Sequence, residues 1–288
     1  MAMQLTATLF LLPIGLRRLY CSSSLFLKTP SLFKSKSWYI SDSKLKNLDL
    51  YILIISLPIA SFSEFFIFLS FNGHPTYHFA FLQQSLVLFL YWVLTILILL
   101  HGSSIIDPLL VNDSFLFACT GIVFFLEYLV IGKGISGVVS EVVYGLCGDL
   151  SVICGLCCLY LAVKPSAFFV EFCLCCGLVF KGTWFLQTGL CLYTDVFVFK
   201  GCQKVVVLVG SENAEVKCDL EEDGLRGVAL VNLLFIGHAI GVLLVSLGMF
   251  ALLSSGRVSR HGETSGPLLA GFESDGNSMR AMSEFELE

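Results

Sequence analysis

Charged residues are scarce in this sequence. Asp, Glu, Lys and Arg make up 14% of its 288 residues, whereas 56% are hydrophobic and 26 are phenylalanines. Ordinary soluble domains contain about 25% charged and roughly 45 to 50% apolar residues. Because a water-soluble core cannot hide so much apolar surface, the composition excludes an ordinary soluble domain and indicates an integral membrane protein.

Motifs of familiar enzymes are also missing. There is no Gly-x-Ser-x-Gly elbow, Walker loop or Cys-His pairing. Zinc hydrolases with seven helices need three histidines, an acid and a serine; Ser70-x3-His74 supplies only the first element. The basic cluster lies beside a membrane segment, where topology and anionic lipid explain it better than nucleic acid does. We therefore expect no enzyme, no cofactor and no nucleic-acid partner.

Long apolar runs dominate the rest of the chain. Runs of about 20 residues can cross a bilayer core of roughly 30 Å as helices, whereas turn signals would interrupt buried strands after 4 to 8 residues. The predicted fold is an all-α, polytopic transmembrane bundle of about seven helices in the lipid bilayer. The predicted spans are 3–20, 50–71, 79–100, 113–131, 141–163, 167–189 and 227–253.

Polar stretches set the predicted domains and orientation. Residues 1–48 hold the first membrane segment and a basic loop, residues 49–254 the bundle, and residues 255–288 a disordered tail. Excess Lys and Arg put the basic loop in the cytoplasm. Alternation then puts the loop at 190–226 on the lumenal or extracellular side. The sequon at Asn112 falls on the cytoplasmic side, so we expect no glycan there.

The first segment has a second interpretation. It has no acidic residue before Asp42 and is rich in Ser, Arg and Lys, as organelle transit peptides are. A retained segment favours the secretory-pathway membranes or the plasma membrane. A cleaved one would leave six helices and favour the chloroplast envelope, with the orientation of those six unchanged.

Four cysteines have the spacing of a zinc site. Two Cys-x2-Cys pairs lie fifteen residues apart: Cys154 with Cys157, and Cys173 with Cys176. A four-thiolate zinc centre would bring two net negative charges into lipid, whereas an unligated cysteine packs as a small apolar residue. We therefore predict no metal site.

A charged pair competes with these cysteines for the same helix faces. If Pro165 is the centre of a tight turn, Asp149 and Lys181 lie at equal depth, well inside the hydrocarbon. An unpaired charge at mid-bilayer costs at least about 2.5 to 3.5 kcal/mol. Both residues therefore need partners, and the sequence favours an ion pair between them.

Further polar residues within the spans extend this candidate centre. Its members are Glu64, Glu127, Asp149, Lys181, Trp184 and His238. Such residues usually face the bundle interior or a water-filled cavity. We favour a structural or adaptor membrane protein whose polar groups hold the helices together. The alternative is a transporter of protons or a small solute that uses Asp149, Lys181 and Glu64.

Two further contacts are predicted near the end of the chain. Cys202 and Cys218 are symmetric about Gly210 in a stretch with the pattern of a hairpin, on the predicted oxidising side. A disulfide between them is expected; the alternative is a disordered loop with two free thiols. Gly237 and Gly241 form a small-xxx-small pattern that predicts a homo- or hetero-oligomer contact.

A family resemblance covers most of residues 50–250. Its most specific piece runs from Phe180 to Gln187, "FKGTWFLQ", with an acid at Glu127 and a histidine at His238. These features resemble the plant branch of the transmembrane protein 45 family, domain of unknown function 716. The resemblance implies a multi-pass membrane protein without an assigned reaction. The histidine-rich loop of many relatives is replaced here by residues 132–137, which weakens any metal-binding role.

Overall fold

The described part of the chain contains seven α-helices, one short 3-10 helix (Pro30–Leu32) and one β-hairpin. The computed structural model describes residues 2–39, 48–70, 75–102, 111–132, 137–194, 201–206 and 214–263. The helices are α1 (Ala2–Lys28), α2 (Leu48–Ser70), α3 (Pro75–Gly102), α4 (Asp113–Val130), α5 (Val138–Val163), α6 (Phe168–Tyr193) and α7 (Glu221–Glu263), and the strands are β1 (Cys202–Val206) and β2 (Ala214–Cys218). Within these residues six helices, α2 to α7, are long and apolar enough to cross a membrane. The predicted all-α polytopic bundle is confirmed.

The first helix joins the bundle although it is not among the six candidate spans. It covers the predicted span 3–20 and continues to Lys28, and it packs lengthwise against α6. Glycines permit the close approach. A Cβ at Gly182 of α6 would lie 2.9 Å from the backbone nitrogen of Leu12, and one at Gly15 would lie 2.9 Å from that of Val179. Any larger residue at these two sites would therefore push the helices apart.

Helix α6 is the most buried helix, and α5 and α4 continue the packing from it. Where α4 crosses α5, a Cβ at Gly121 would meet the carbonyl oxygen of Gly155 at 3.1 Å, and the reverse contact would be 3.2 Å. Helices α2 and α7 lie at the edge of the bundle, because only 11% of an 18-residue apolar stretch in each of them is buried. One buried apolar cluster lies among α5, α6, α7 and β2, and another lies among α4, α5 and α6.

Three loops meet at one end of the bundle, which we call the basic end. The backbone N–H of Ser35, after α1, donates to the carbonyl of Pro165 between α5 and α6 at 2.7 Å. The N–H of Ser37 donates to Asp113, the first residue of α4, at 2.8 Å. Next to it, Asn112 caps α4 by accepting from the N–H of Phe115 at 2.8 Å. The α1–α2, α3–α4 and α5–α6 loops thus share one side, as the predicted alternation requires.

The β-hairpin covers the other end of the bundle. Its strands are antiparallel with Cys202 opposite Cys218, and the two sulfurs are bonded. Val216 is buried against the helices, and its N–H donates to the hydroxyl of Ser140 at 2.9 Å. Gly137 precedes α5 with φ of 118°, and a Cβ there would lie 2.7 Å from the Val216 carbonyl oxygen. The hairpin is therefore docked on the start of α5.

The last helix is longer than the predicted span. It begins at Glu221 rather than at residue 227 and continues to Glu263, beyond the predicted end of the span at residue 253. A continuous run of backbone hydrogen bonds carries the helix past its apolar part. The remaining tail, residues 264–288, lies outside the described residues.

Candidate functional site

A buried lysine in the middle of α6 organises the most polar part of the interior. Lys181 is 1% exposed, and its Nζ donates to Oε2 of Glu127 in α4 and, at 2.8 Å, to the hydroxyl of Ser151 in α5. Tyr91 of α3 donates its hydroxyl to the same Glu127 oxygen at 2.7 Å. Four consecutive helices thus contribute one side chain each. We call Tyr91, Glu127, Ser151 and Lys181 the Lys181 cluster.

Aromatic rings close this cluster. The Lys181 Nζ lies 4.9 Å from the ring centre of Phe124 and 5.9 Å from that of Phe185, within the range of cation–π attraction. The Tyr91 ring meets Phe124 edge to face at 6.0 Å. The positive charge therefore has a carboxylate, two hydroxyl groups nearby and two aromatic faces, which together replace the water that it loses on burial.

Asp149 does not belong to the Lys181 cluster, so the predicted pair of Asp149 with Lys181 is wrong. The depth assigned to Asp149 is consistent with the structure, because Ser151, only two residues further along α5, bonds Lys181. Two residues correspond to about 200° around a helix, so Asp149 points to the opposite side. It lies on the exposed face of α5, beside exposed Gly145. Glu127 takes the place that the sequence assigned to Asp149.

The other predicted members of the centre lie outside the Lys181 cluster. Trp184 is 1% exposed and donates its indole N–H to the Val143 carbonyl at 3.2 Å. Its ring meets that of His238 edge to face at 5.8 Å, and the Nδ1 atom of His238 lies 2.9 Å from the Leu234 carbonyl. These two side chains join α5, α6 and α7. Glu64 is buried in α2, which packs against α3.

A second ion pair, which the sequence did not predict, lies at the basic end. The guanidinium of Arg18 in α1 forms two contacts of 2.9 Å with the carboxylate of Glu171 in α6, one to each oxygen. Arg18 also donates to the carbonyls of Ser37 and Lys36 at 2.8 and 2.9 Å. This pair ties the α1–α2 loop to the bundle. A signal was present, since the sequence places an arginine pair at the end of one apolar run and an acid within another.

Tyr39 completes this second cluster. Its hydroxyl donates to Glu171 at 3.3 Å, and its ring lies 5.7 Å from the Arg18 guanidinium carbon. Burial, and after it the Glu171 carboxylate, raise the pKa of Tyr39 above its ordinary value. The phenol therefore stays neutral and remains a donor. A small cavity beside it has room for a water molecule or two and is lined by Ile14, Arg17, Arg18, Trp38, Tyr39 and Asp49.

The cysteines of the two Cys-x2-Cys pairs pack among helices. Cys154 is buried in the apolar contact between α5 and α6, and a Cβ at Gly177 would lie 2.8 Å from its sulfur. The other three, Cys157, Cys173 and Cys176, are partly buried. In the part of the chain that the structure describes, no three His, Cys, Asp or Glu side chains are close enough to hold a metal ion. The thiols act there as close-packed apolar groups.

Part of the chain is similar to a known protein family. Residues 113–251 match the model of a family described as "Family of unknown function (DUF716)". We call residues 113–251 the DUF716 segment, because they are similar to that family. This confirms the resemblance to that family at the level of the family. No curated protein matches the chain.

The DUF716 segment contains much of the candidate site. It runs from the start of α4 into α7 and includes Glu127, Ser151, Lys181 and Glu171. Tyr91 and Arg18 lie before it, in α3 and α1. The match therefore includes the ion pair at the centre of the Lys181 cluster. The protein is a multi-pass membrane protein, and the segment that holds this pair is similar to a family of unknown function.

Proposed function

We propose that this protein is a structural or adaptor membrane protein and that it is not an enzyme. The observation that carries the proposal is the closed Lys181 cluster. Lys181 is 1% exposed, is bonded to Glu127 and Ser151, and lies under aromatic rings. A side chain that moves protons or solutes has to meet water, whereas a buried, satisfied pair that joins α4, α5 and α6 fixes how these helices pack.

The positions of the other acids support the same choice. The transporter alternative uses Asp149, Lys181 and Glu64 together. Asp149, however, lies on the outer face of α5 and Glu64 in the edge helix α2, while Lys181 is enclosed between α4, α5 and α6. Three groups so arranged do not line one path through the described residues.

The narrower assignments are part of this proposal. The basic loop after α1 supports a cytoplasmic basic end and a location in the secretory-pathway membranes or the plasma membrane. The segment from Phe180 to Gln187 supports the plant branch of the DUF716 family. Exposed Gly237 and Gly241 on α7, each with open space at its Cβ position, support an oligomer contact there.

Native cysteines provide the test of a dry interior. Cys147 and Cys154 are both 0% exposed, and the carbonyl of Cys147 lies 3.2 Å from the Ser151 hydroxyl. We would retain one of these cysteines in a variant with no other free cysteine and add a membrane-impermeant thiol reagent to both sides of reconstituted vesicles. We expect no labelling at either position.

A matched control and the opposite outcome complete this experiment. A single cysteine at exposed Lys164, in the α5–α6 turn, should be labelled readily. If Cys147 or Cys154 is labelled as fast as the residue 164 control, water enters the interior. The transporter alternative would then replace the structural proposal.

A further inference from the structure

One charged side chain is out of place in this bundle. Asp149 is exposed on α5, and its side chain takes part in no hydrogen bond or ion pair with the described residues. It lies eleven residues from Val138 and fourteen from Val163, about 16 and 21 Å along the helix axis. In a bilayer core of roughly 30 Å, the short side chain of Asp149 reaches neither interface.

Such a position is costly unless something covers it. A charge near the centre of a spanning helix is strongly unfavourable in lipid. The internal cation at this depth, Lys181, is already bound to Glu127 on the other side of α5. The described residues of the bundle therefore offer Asp149 no counter-charge, which favours a partner from outside the chain.

The surface around Asp149 has the shape of a helix-packing site. Exposed residues recur at three- and four-residue spacing along α5 and form one straight face: Val138, Glu141, Gly145, Asp149, Ile153, Leu156 and Tyr160. A Cβ at Gly145 would have nothing within 4 Å, so the backbone is open to close approach one turn from the carboxylate. Apolar side chains continue the face beyond it.

We infer that this face of α5 binds a transmembrane helix of a partner protein that carries a lysine or arginine near mid-membrane. Charge complementarity identifies the occupant: a cation opposite Asp149 neutralises both charges and gives the carboxylate the donors that it lacks. A second copy of this chain would bring another Asp149 to the same depth. The inference rests on the proposed adaptor function, for which it names the kind of partner.

A synthetic helix provides the test. We would reconstitute the full-length protein, with a donor fluorophore attached at its C-terminus, together with acceptor-labelled Leu-rich peptides of about 22 residues. One peptide carries a central Lys, and its matched control carries Leu there. Because the lysine is central, insertion in either direction places it at the depth of Asp149. We expect the Lys peptide to associate roughly tenfold more strongly than the Leu peptide.

Two variants test whether Asp149 is responsible for the preference for the Lys peptide. Asp149→Asn should reduce association of the Lys peptide to the level of the Leu peptide. Glu222→Gln removes an exposed carboxylate from the start of α7, outside this face of α5, and should leave the tenfold preference intact. A preference that is absent, or that survives Asp149→Asn, would overturn the inference.

Two further results would also overturn it, and they separate it from the proposed function. Energy transfer between two labelled copies that is lost in Asp149→Asn would make the occupant a second copy. Rapid labelling of a cysteine placed at residue 149 by an impermeant thiol reagent would put water on this face instead. If either occurs while Cys147 and Cys154 stay protected, the structural function stands and only the basic-helix partner is wrong.

Discussion

The two faces of α5 treat a polar group at the same depth in opposite ways. Ser151 points inward and helps to bind Lys181. Asp149, two residues earlier, points outward, and its side chain forms no hydrogen bond or ion pair with the described residues. Inward-facing Gly155 also lies close to the backbone of Gly121 in α4, while outward-facing Gly145 has open space. The polar groups on the inner face therefore have partners within one chain, whereas Asp149 on the outer face has none among the described residues.

This contrast separates stability from recognition. Groups on the inner face hold α3 to α6 together, so their loss should destabilise the fold. Asp149 on the outer face contributes nothing to the fold within one chain and should be replaceable without harm. The free energy of unfolding, measured for reconstituted variants with a substitution on one face or the other, therefore tests the contrast directly.

The largest effect is expected from Lys181→Met. This substitution keeps most of the side-chain volume but leaves the Glu127 carboxylate buried without its cation. Breaking a buried pair from one side typically costs about 3 to 5 kcal/mol. The free energy of unfolding, measured by denaturant titration in bicelles, should fall by that amount.

Neutralising the partner as well is the control. In the double variant Glu127→Gln with Lys181→Met, neither charge remains, and we expect a large part of the lost stability to return. A double variant that loses the full sum of both single effects would show that the two residues act independently, which would contradict a pair.

These residues also show how far the sequence could predict the site. Apolar run length gave the all-α bundle, and the symmetry about Pro165 gave the correct depth of Lys181. Depth does not fix direction around a helix axis, however, and only the direction distinguishes Asp149 from Ser151. Glu127 lies near the end of its span, so the sequence did not indicate that its side chain would reach Lys181.

Contacts across distant parts of the chain were also beyond sequence reasoning. Arg18 and Glu171 are 153 residues apart, and their pairing depends on α1 packing along α6. That packing depends in turn on the absence of a side chain at Gly182. By contrast, the Cys202–Cys218 hairpin is local, and its alternating pattern was sufficient to place both strands.

An effect of intermediate size is expected from Gly182→Ala. The new methyl group would lie 2.9 Å from the backbone nitrogen of Leu12, so α1 has to shift. Such overpacking costs roughly 1 to 3 kcal/mol in the free energy of unfolding. Gly145→Ala on the outer face is the matched control and should keep that free energy unchanged or raise it by up to about 1 kcal/mol, because Ala favours a helix over Gly. A loss at Gly145 equal to that at Gly182 would show that the contact with α1 does not decide the result.

Ser151→Ala should have a moderate effect. The substitution removes one acceptor from the buried ammonium of Lys181 while keeping Glu127 in place. Loss of one hydrogen bond to a charged group costs about 1.5 to 3 kcal/mol. The unfolding titration should show this loss, and Ser151→Cys, which keeps a weak acceptor, should lose less. Stability unchanged in Ser151→Ala would remove Ser151 from the Lys181 cluster.

The smallest effect on stability is expected from Asp149→Asn. It removes one carboxylate from α5, as Ser151→Ala removes one hydroxyl two residues away, but it breaks no contact within the chain. In the absence of a partner helix, the free energy of unfolding should stay within about 0.5 kcal/mol of the parent or rise, because a charge leaves the lipid-facing surface. A loss comparable to that of Ser151→Ala would mean that Asp149 supports the fold of the single chain. The two faces of α5 would then not differ in function, since both would serve the interior.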